Sequence, residues 1–350
     1  MKNEPLNWQR QINPDQGAFF YPPTMGVFAI PIALAPWDIA KHLLSALNII
    51  ALLGILFFCA QICKRLLGLP DRNSRIWLGL GIGCLMSAVP ETIYTGQTPL
   101  LSMVGCLGAV YYLLQNRLLA CAVCIVIAST KPQLSLIPVI YLLIASRSWL
   151  LFIYSSACVA ACSIVIFLIG GDHNPLTVIS NLADTHASLT PNSPANFPGL
   201  YWLMTYMGLP ESTNKFSPIA GVIITLGLAI WSAKKQHINQ PQQLLLLLCI
   251  CCSITSLFMP LHGYDYVVLL LALVMLTTNS QGIYWWAVIG PCMLLITRPD
   301  NVAYSLLQPI IGTHIGHIPV NSVMLESLAA AGLLGILITM LLKSISEKPS

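Results

Sequence analysis

Apolar positions in this chain come in long unbroken blocks, not in residue-by-residue alternation. We read membrane segments at about 40–62, 76–90, 99–116, 149–170, 217–233, 242–260, 264–278, 282–297 and 321–342. Continuous runs of this kind suit lipid-spanning helices, whereas a barrel strand alternates. One block breaks the pattern. Leu118–Thr130 and Leu134–Ala145 are almost wholly apolar, but Lys131-Pro132-Gln133 stands between them. Each half is shorter than the 20 or so residues that a span needs. A helix rises about 1.5 Å per residue, so each limb reaches about 20 Å. The pattern predicts a re-entrant helical hairpin over 118–146 with a lysine at its tip. The expected fold is all-α: one integral membrane domain over 1–350, a bundle of about nine full spans plus the hairpin.

Charge fixes the expected orientation. Lys64, Arg65, Arg72, Arg75, Arg117, Arg147, Lys234, Lys235, Lys343 and Lys348 fall in alternate connections. The excess of basic residues in cytoplasmic loops puts all of these inside, with the C-terminus. The hairpin is needed for this parity, because one long span over 118–146 would move every later basic loop to the other face. Segments 1–24, 91–98, 171–216, 261–263 and 298–320 then lie outside, and 171–216 is either a lid or acceptor platform, for which it is long enough, or a disordered outer loop. Residues 1–37 are read as an extracytoplasmic segment and a short interfacial helix, Met25–Ala35 being too short to span. The N-terminus is thus placed outside, with no signal peptide or anchor before it.

Composition removes other classes. The 350 residues are 56% hydrophobic and 8% charged, where a soluble domain has about 25% charged. The net charge of +4 is spread among loops, so no basic stripe offers itself to nucleic acid. The 12 cysteines lie almost entirely inside apolar runs. Cys121 and Cys124 form a CxxC, but neither a second pair nor a nearby histidine completes a zinc set. Small-residue packing between helices is the expected role. No metal or other cofactor is expected, a divalent cation near Glu91 being left open.

An ionisable side chain at membrane depth is a functional candidate by default. For Lys131 two readings stand, a ligand site or a lysine snorkelling to the far interface. Pro132 breaks the helix beside it. His262 and Asp265, at the turn between two spans, are three apart and share one side of a helix start. Asp265 is either functional or simply a helix-start acid. Tyr264 and Tyr266 either anchor in the aromatic belt, the favoured reading, or stack on a ligand ring such as a sugar. Glu326, early in the last span, is expected to pair with a neighbour. His314 and His317 lack further metal ligands nearby.

Several short elements follow one another in order: Phe20-Tyr21-Pro22-Pro23, Leu34-Ala35-Pro36, Gly96-Gln97-Thr98-Pro99-Leu100, and Leu118-Leu119-Ala120. Next come Lys131-Pro132-Gln133 with Arg147-Ser148-Trp149, and then His262-Gly263-Tyr264-Asp265-Tyr266. Together they resemble glycosyltransferase family 87, polytopic mannosyltransferase-like proteins of the GT-C class. The likeness runs over residues 18–150 and on to about 280. It implies transfer of a hexose, often mannose, from a polyprenyl-phosphate carrier to a lipid or glycan acceptor at the outer face of a bacterial plasma membrane. A carboxylate base is implied, on an Asp in a first extracytoplasmic loop upstream of Tyr21-Pro22-Pro23. No residue of this chain matches that place, so a first helix and the base are expected to be missing, and Asp15 is not given the role.

In that frame Lys131 is the ligand for the carrier phosphate, since a point cation suits it. Gln97 either hydrogen-bonds a sugar hydroxyl or belongs to an ordinary helix-start loop. Glu91 either binds sugar or a divalent cation, or is a helix-start acid. Tyr21 either contacts sugar or anchors at the interface. His262 donates to phosphate while Asp265 orients it or binds sugar. Arg298 is read as a solvated loop residue. Two alternatives remain: a transporter or flippase using Lys131, His262 and Asp265 as a midplane relay, and a catalytically degenerate relative.

Overall fold

The computed structural model describes residues 23–68, 74–170, 197–235, 240–279, 314–315, 318–319 and 322–346. Apart from one short antiparallel pair, His314–Ile315 (β1) with Ile318–Pro319 (β2), the regular structure there is helical. The helices are α1 Pro23–Ala33, α2 Trp37–Leu67, α3 Ser74–Cys84, α4 Ala88–Thr95 and α5 Pro99–Leu114. They continue with α6 Leu118–Ala128, α7 Pro132–Ala145, α8 Trp149–Gly170, α9 Leu200–Tyr206, α10 Phe216–Lys235, α11 Pro241–Phe258, α12 Leu270–Asn279 and α13 Ser322–Ser346. Tight 3-10 turns at Glu211–Lys215 and Gly263–Leu269 lead into α10 and α12.

Local chemistry sets the ends. Proline opens α5, α7 and α11 at the first helical position, where its missing N–H costs nothing. The feet of the predicted hairpin turn on left-handed residues, Asn116 at φ 58° and Arg147 at φ 52°. Gly96 closes α4 at φ 66° and returns its N–H to the Thr92 carbonyl, a left-handed cap that glycine accepts without strain.

Among the described residues three helices are long and apolar enough to cross a membrane: Asp38–Leu67, Ser212–Lys235 and Val323–Ile345. The apolar stretch read as one span at 76–90 is instead broken. Its halves, α3 and α4, meet at 51°, because the Pro90 ring clashes with the carbonyl one turn back. Counted as one span, the pair makes four, against about nine expected. The run at 282–297 lies outside the described residues. The remaining helices are shorter apolar pieces, Pro99–Leu114 and Gln242–Phe258 among them.

These short helices fill the interior. Nearly every residue from Leu244 to Ile254 and from Tyr266 to Leu276 is buried, and a helix apolar all round belongs in such a place. Around this centre α11 packs on α7 and α13, α12 on α3, and α2 on α5. The long helices α2, α10 and α13 carry the exposed apolar faces, including Ile50, Leu53, Ile223 and Leu342.

The 118–146 stretch forms two helices broken at Ser129–Lys131, where the apolar runs are interrupted. Its limbs barely touch. α6 lies against α5 and α8, while α7 turns away onto α10 and α11. The tip is therefore gripped by the rest of the bundle. Ser102 on α5 donates its hydroxyl to the Ala128 carbonyl at 2.6 Å and approaches the Lys131 carbonyl at 3.4 Å. Thr24 on α1 donates to the Ser129 carbonyl at 3.1 Å. Ser102→Ala removes one buried donor, and we expect a loss of about 1 kcal/mol, read as a lower melting temperature in detergent.

Candidate functional site

The α6–α7 break points Lys131 into the bundle. Proline at 132 cannot donate, so the chain enters α7 with Lys131 as its N-cap in an extended conformation. The Lys131 side chain is 3% exposed, and its ammonium donates to Asp265 Oδ1 at 2.5 Å; Asp265 is itself fully buried. The partners lie 134 residues apart in sequence. A charge so deep survives only when paired and hydrogen-bonded.

Asp265 owes its place to the 3-10 turn. Its Oδ2 accepts the His262 backbone N–H at 3.1 Å, and its own N–H donates to the His262 carbonyl at 2.8 Å. One carboxylate thus caps the turn and neutralises the lysine. The helix-start position and the ion pair with Lys131 are thus one arrangement. Tyr264, one residue back, lies under the ammonium with Nζ 4.6 Å from the ring centroid, a favourable cation–π geometry. Its carbonyl accepts from Thr92 Oγ1 of α4 at 3.1 Å, which ties the Glu91–Gln97 region to the same turn.

His262, the N-cap of the turn, is half-buried. Its ring stacks on Tyr264 with centroids 5.1 Å apart and meets Phe197 edge-on at 5.0 Å. Phe197 in turn contacts Tyr201, and burial pushes the Tyr201 hydroxyl up to about 12. That hydroxyl is a neutral donor at physiological pH, not a base.

Lys131, His262 and Asp265 thus converge. Glu91 lies half-buried in the first turn of α4, beside Thr92, and Gln97 follows the Gly96 cap, also half-buried. Both belong to the segment that the Thr92–Tyr264 hydrogen bond ties to the turn. Tyr21 lies outside the described residues, as do Arg298 and most of 171–216. The part of that loop described, from 197, contains α9 and a 3-10 turn, so it is no plain connection. The aromatic-belt reading is wrong for Tyr266. Its side chain is fully buried, its hydroxyl reaching the Ser256 carbonyl at 3.4 Å. Tyr264 is half-buried, with its ring against the lysine. Sequence reasoning missed Thr92 and Phe197 as well, because a lone threonine in a helix and a phenylalanine in a loop carry no local signal.

Among the described residues no group of His, Cys, Asp and Glu is placed to hold a metal ion. The Cys121/Cys124 pair is packing: the Cys124 thiol and backbone lie against Gly105 and Gly108 of α5.

No curated protein and no solved structure matches the chain. The sequence profile of glycosyltransferase family 87 matches residues 19–260. The match covers the α6–Lys131–α7 break and the α4–α5 turn, and ends just before His262. It runs over more than half of the 350 residues, and the chain belongs to glycosyltransferase family 87.

Proposed function

We propose that this membrane glycosyltransferase takes a hexose from a polyprenyl-phosphate donor and passes it to a lipid or glycan hydroxyl at the extracytoplasmic face. The observation that carries the reading is the buried Lys131–Asp265 pair at the break between α6 and α7. A lysine has three donors. One goes to Asp265 and one side faces the Tyr264 ring, which leaves a direction for a ligand oxygen. A sugar phosphodiester bears one negative charge and competes with Asp265 for the ammonium. Asp265 keeps the His262 N–H whether or not the lysine stays, so the turn survives the exchange. His262, stacked on Tyr264, donates to the same phosphate in this reading.

The chemistry is a displacement at the anomeric carbon. An acceptor oxygen bonds to carbon 1 as its proton passes to a base, and the carbon–oxygen bond to phosphate breaks with its electron pair going to the phosphate. The lysine stabilises that growing negative charge, the kind of contact that accelerates the step. The departing monoester is more strongly charged than the diester, and Asp265 favours its release by recapturing the ammonium. The mannose, the acceptor class and the sidedness are supported by the family likeness and by the distribution of basic loops.

Membranes containing this chain are expected to transfer label from a polyprenyl-phosphate hexose to endogenous lipid or glycan, and not from a nucleotide sugar. Transfer that depends on the nucleotide sugar after the lipid donor has been removed would sink the reading.

A further inference from the structure

We propose that the N-terminus of α5, with the hydroxyl of Thr98 and the amide of Asn48, forms a set of neutral donors that holds the phosphate of the lipid carrier beside Lys131. The inference deepens the transfer reading above and rests on it. It starts from two buried side chains with unused hydrogen-bonding atoms. Thr98 is 3% exposed and Asn48 1%, and among the described residues neither Thr98 Oγ1 nor Asn48 Nδ2 has a hydrogen-bond partner. Such atoms are costly to bury unpaired. Thr98 is also the N-cap of α5, where a threonine oxygen ordinarily accepts a first-turn N–H. Here it makes no such bond. Pro99 has no N–H to offer. The N–H groups of Leu100 and Leu101 have neither a carbonyl one turn back nor a side-chain cap, and both residues are buried.

Bonds and contacts place these donors at the α6–α7 break. The Ser102 N–H donates to the Thr98 carbonyl at 3.0 Å, and the Ser102 hydroxyl bonds the Ala128 carbonyl at 2.6 Å and reaches the Lys131 carbonyl at 3.4 Å. Thr98 and Ser102 are four apart and share one face of α5. Along that face α5 and α6 run antiparallel: Gly108 lies against Cys124, Gly105 against Cys124 and Ala128, and Ser102 against Ala128 and Lys131. The next step of this register takes Thr98 to the level of Lys131. On another side α2 runs parallel to α5. A Cβ on Gly96 would lie 2.9 Å from Leu44, and one on Gly54 would lie 2.6 Å from Val104. Six residues back from Gly54 and from Val104 stand Asn48 and Thr98, about 9 Å along each axis, so the two unpaired groups share a level. The turn that carries Asp265 packs on α5 as well. Amide, hydroxyl and first-turn N–H groups all donate, and a helix N-terminus favours an anion. A phosphodiester has two non-bridging oxygens. Lys131 meets one, and the α5 donors take the other.

Thr98→Val separates this role from a structural one, because it keeps the shape and removes only the hydroxyl. An unpaired buried hydroxyl costs stability, so the ligand-free variant should melt at or above wild type. Its affinity for polyprenyl phosphate in nanodiscs should fall about 10-fold or more, while its affinity for polyprenol, which lacks the phosphate, stays at the wild-type value. Asn48→Leu should lose affinity for polyprenyl phosphate likewise, and Thr98→Ser should keep it. Early melting of Thr98→Val would mean that the hydroxyl serves the fold, and overturns the proposal. Unchanged affinity in either variant overturns it for that residue. Inorganic phosphate that binds as tightly as the lipid would overturn the assignment to the carrier. A wild type that does not prefer polyprenyl phosphate to polyprenol would overturn the donor reading and the proposal together. A preference that Thr98→Val loses, in a wild type that transfers no hexose from the lipid donor, would overturn the transfer reading and leave the phosphate site standing.

Discussion

Lys131→Met is expected to abolish sugar transfer, lowering the rate by about a hundred-fold or more, and to destabilise the protein at the same time. The two effects have different causes and can be separated. Removing the ammonium leaves the Asp265 carboxylate buried without its counter-charge, and breaking such a pair costs about 3–5 kcal/mol. Lys131→Met alone is therefore expected to melt early in detergent, and its inactivity is ambiguous. The double variant Lys131→Met/Asp265→Asn removes both charges but retains an oxygen to accept the His262 N–H, the contact that holds the turn. It should recover most of the lost stability, since a neutral pair of similar size often packs as well as the ions did. It should not recover transfer, because no fixed cation then meets the phosphate. Melting curves and transfer rates on the same preparations read both quantities. Full activity in the double variant would remove Lys131 from phosphate binding. Wild-type melting of Lys131→Met would show that the pair is not desolvated as its burial indicates.

That pair also marks the limit of what the sequence discloses. The break at Lys131 was legible, because two short apolar runs and a proline are local signals, and the observed helices Leu118–Ala128 and Pro132–Ala145 follow the runs closely. Its partner was not. His262 and Asp265 stood out as a polar turn between apolar blocks, yet nothing local ties position 131 to position 265. The hairpin's packing was equally hidden. Two consecutive short helices invite pairing with each other, but small residues on α5 offer α6 a closer surface, and α7 finds its own on α10 and α11. Tyr266 was misread because an aromatic near a span end suits an interface and an interior alike, and only the surrounding helices decide. The bend at Ser87 was available in principle from Pro90, which forbids a regular turn before it. Apolar continuity outweighed it.

The closest of those surfaces supports the second large effect. Gly105→Ala should strip the protein of folding yield and of activity, while Gly108→Ala, one turn along, does far less. Ser102, Gly105 and Gly108 recur every three residues on α5 and face Cys124 and Ala128 of α6, all buried. Small residues let helix backbones approach without side chains between them. At Gly105 the approach is extreme. A Cβ would lie 2.3 Å from the Ala128 nitrogen, 2.7 Å from the Cys124 carbonyl oxygen and 2.8 Å from the Ala128 Cα. All three are backbone atoms, so no rotamer change relieves the clash and α6 must move bodily. Gly108 meets the Cys124 thiol at 2.8 Å and the Phe58 ring at 3.2 Å, side chains that can swing aside. Overpacking a core costs about 1–3 kcal/mol in ordinary cases, and Gly105→Ala belongs at or above the top of that range. The damage reaches the site because α6 ends three residues before Lys131, and Ser102 clasps its last carbonyl. Forcing α5 and α6 apart draws Ala128 from Ser102 and shifts the tip against Asp265. Detergent melting should fall much further for Gly105→Ala than for Gly108→Ala, with transfer lost in the fraction that still folds. Equal effects at the two glycines would mean that the helices are farther apart than these contacts require. A well-folded Gly105→Ala with normal transfer would show that the tip is not positioned through α5.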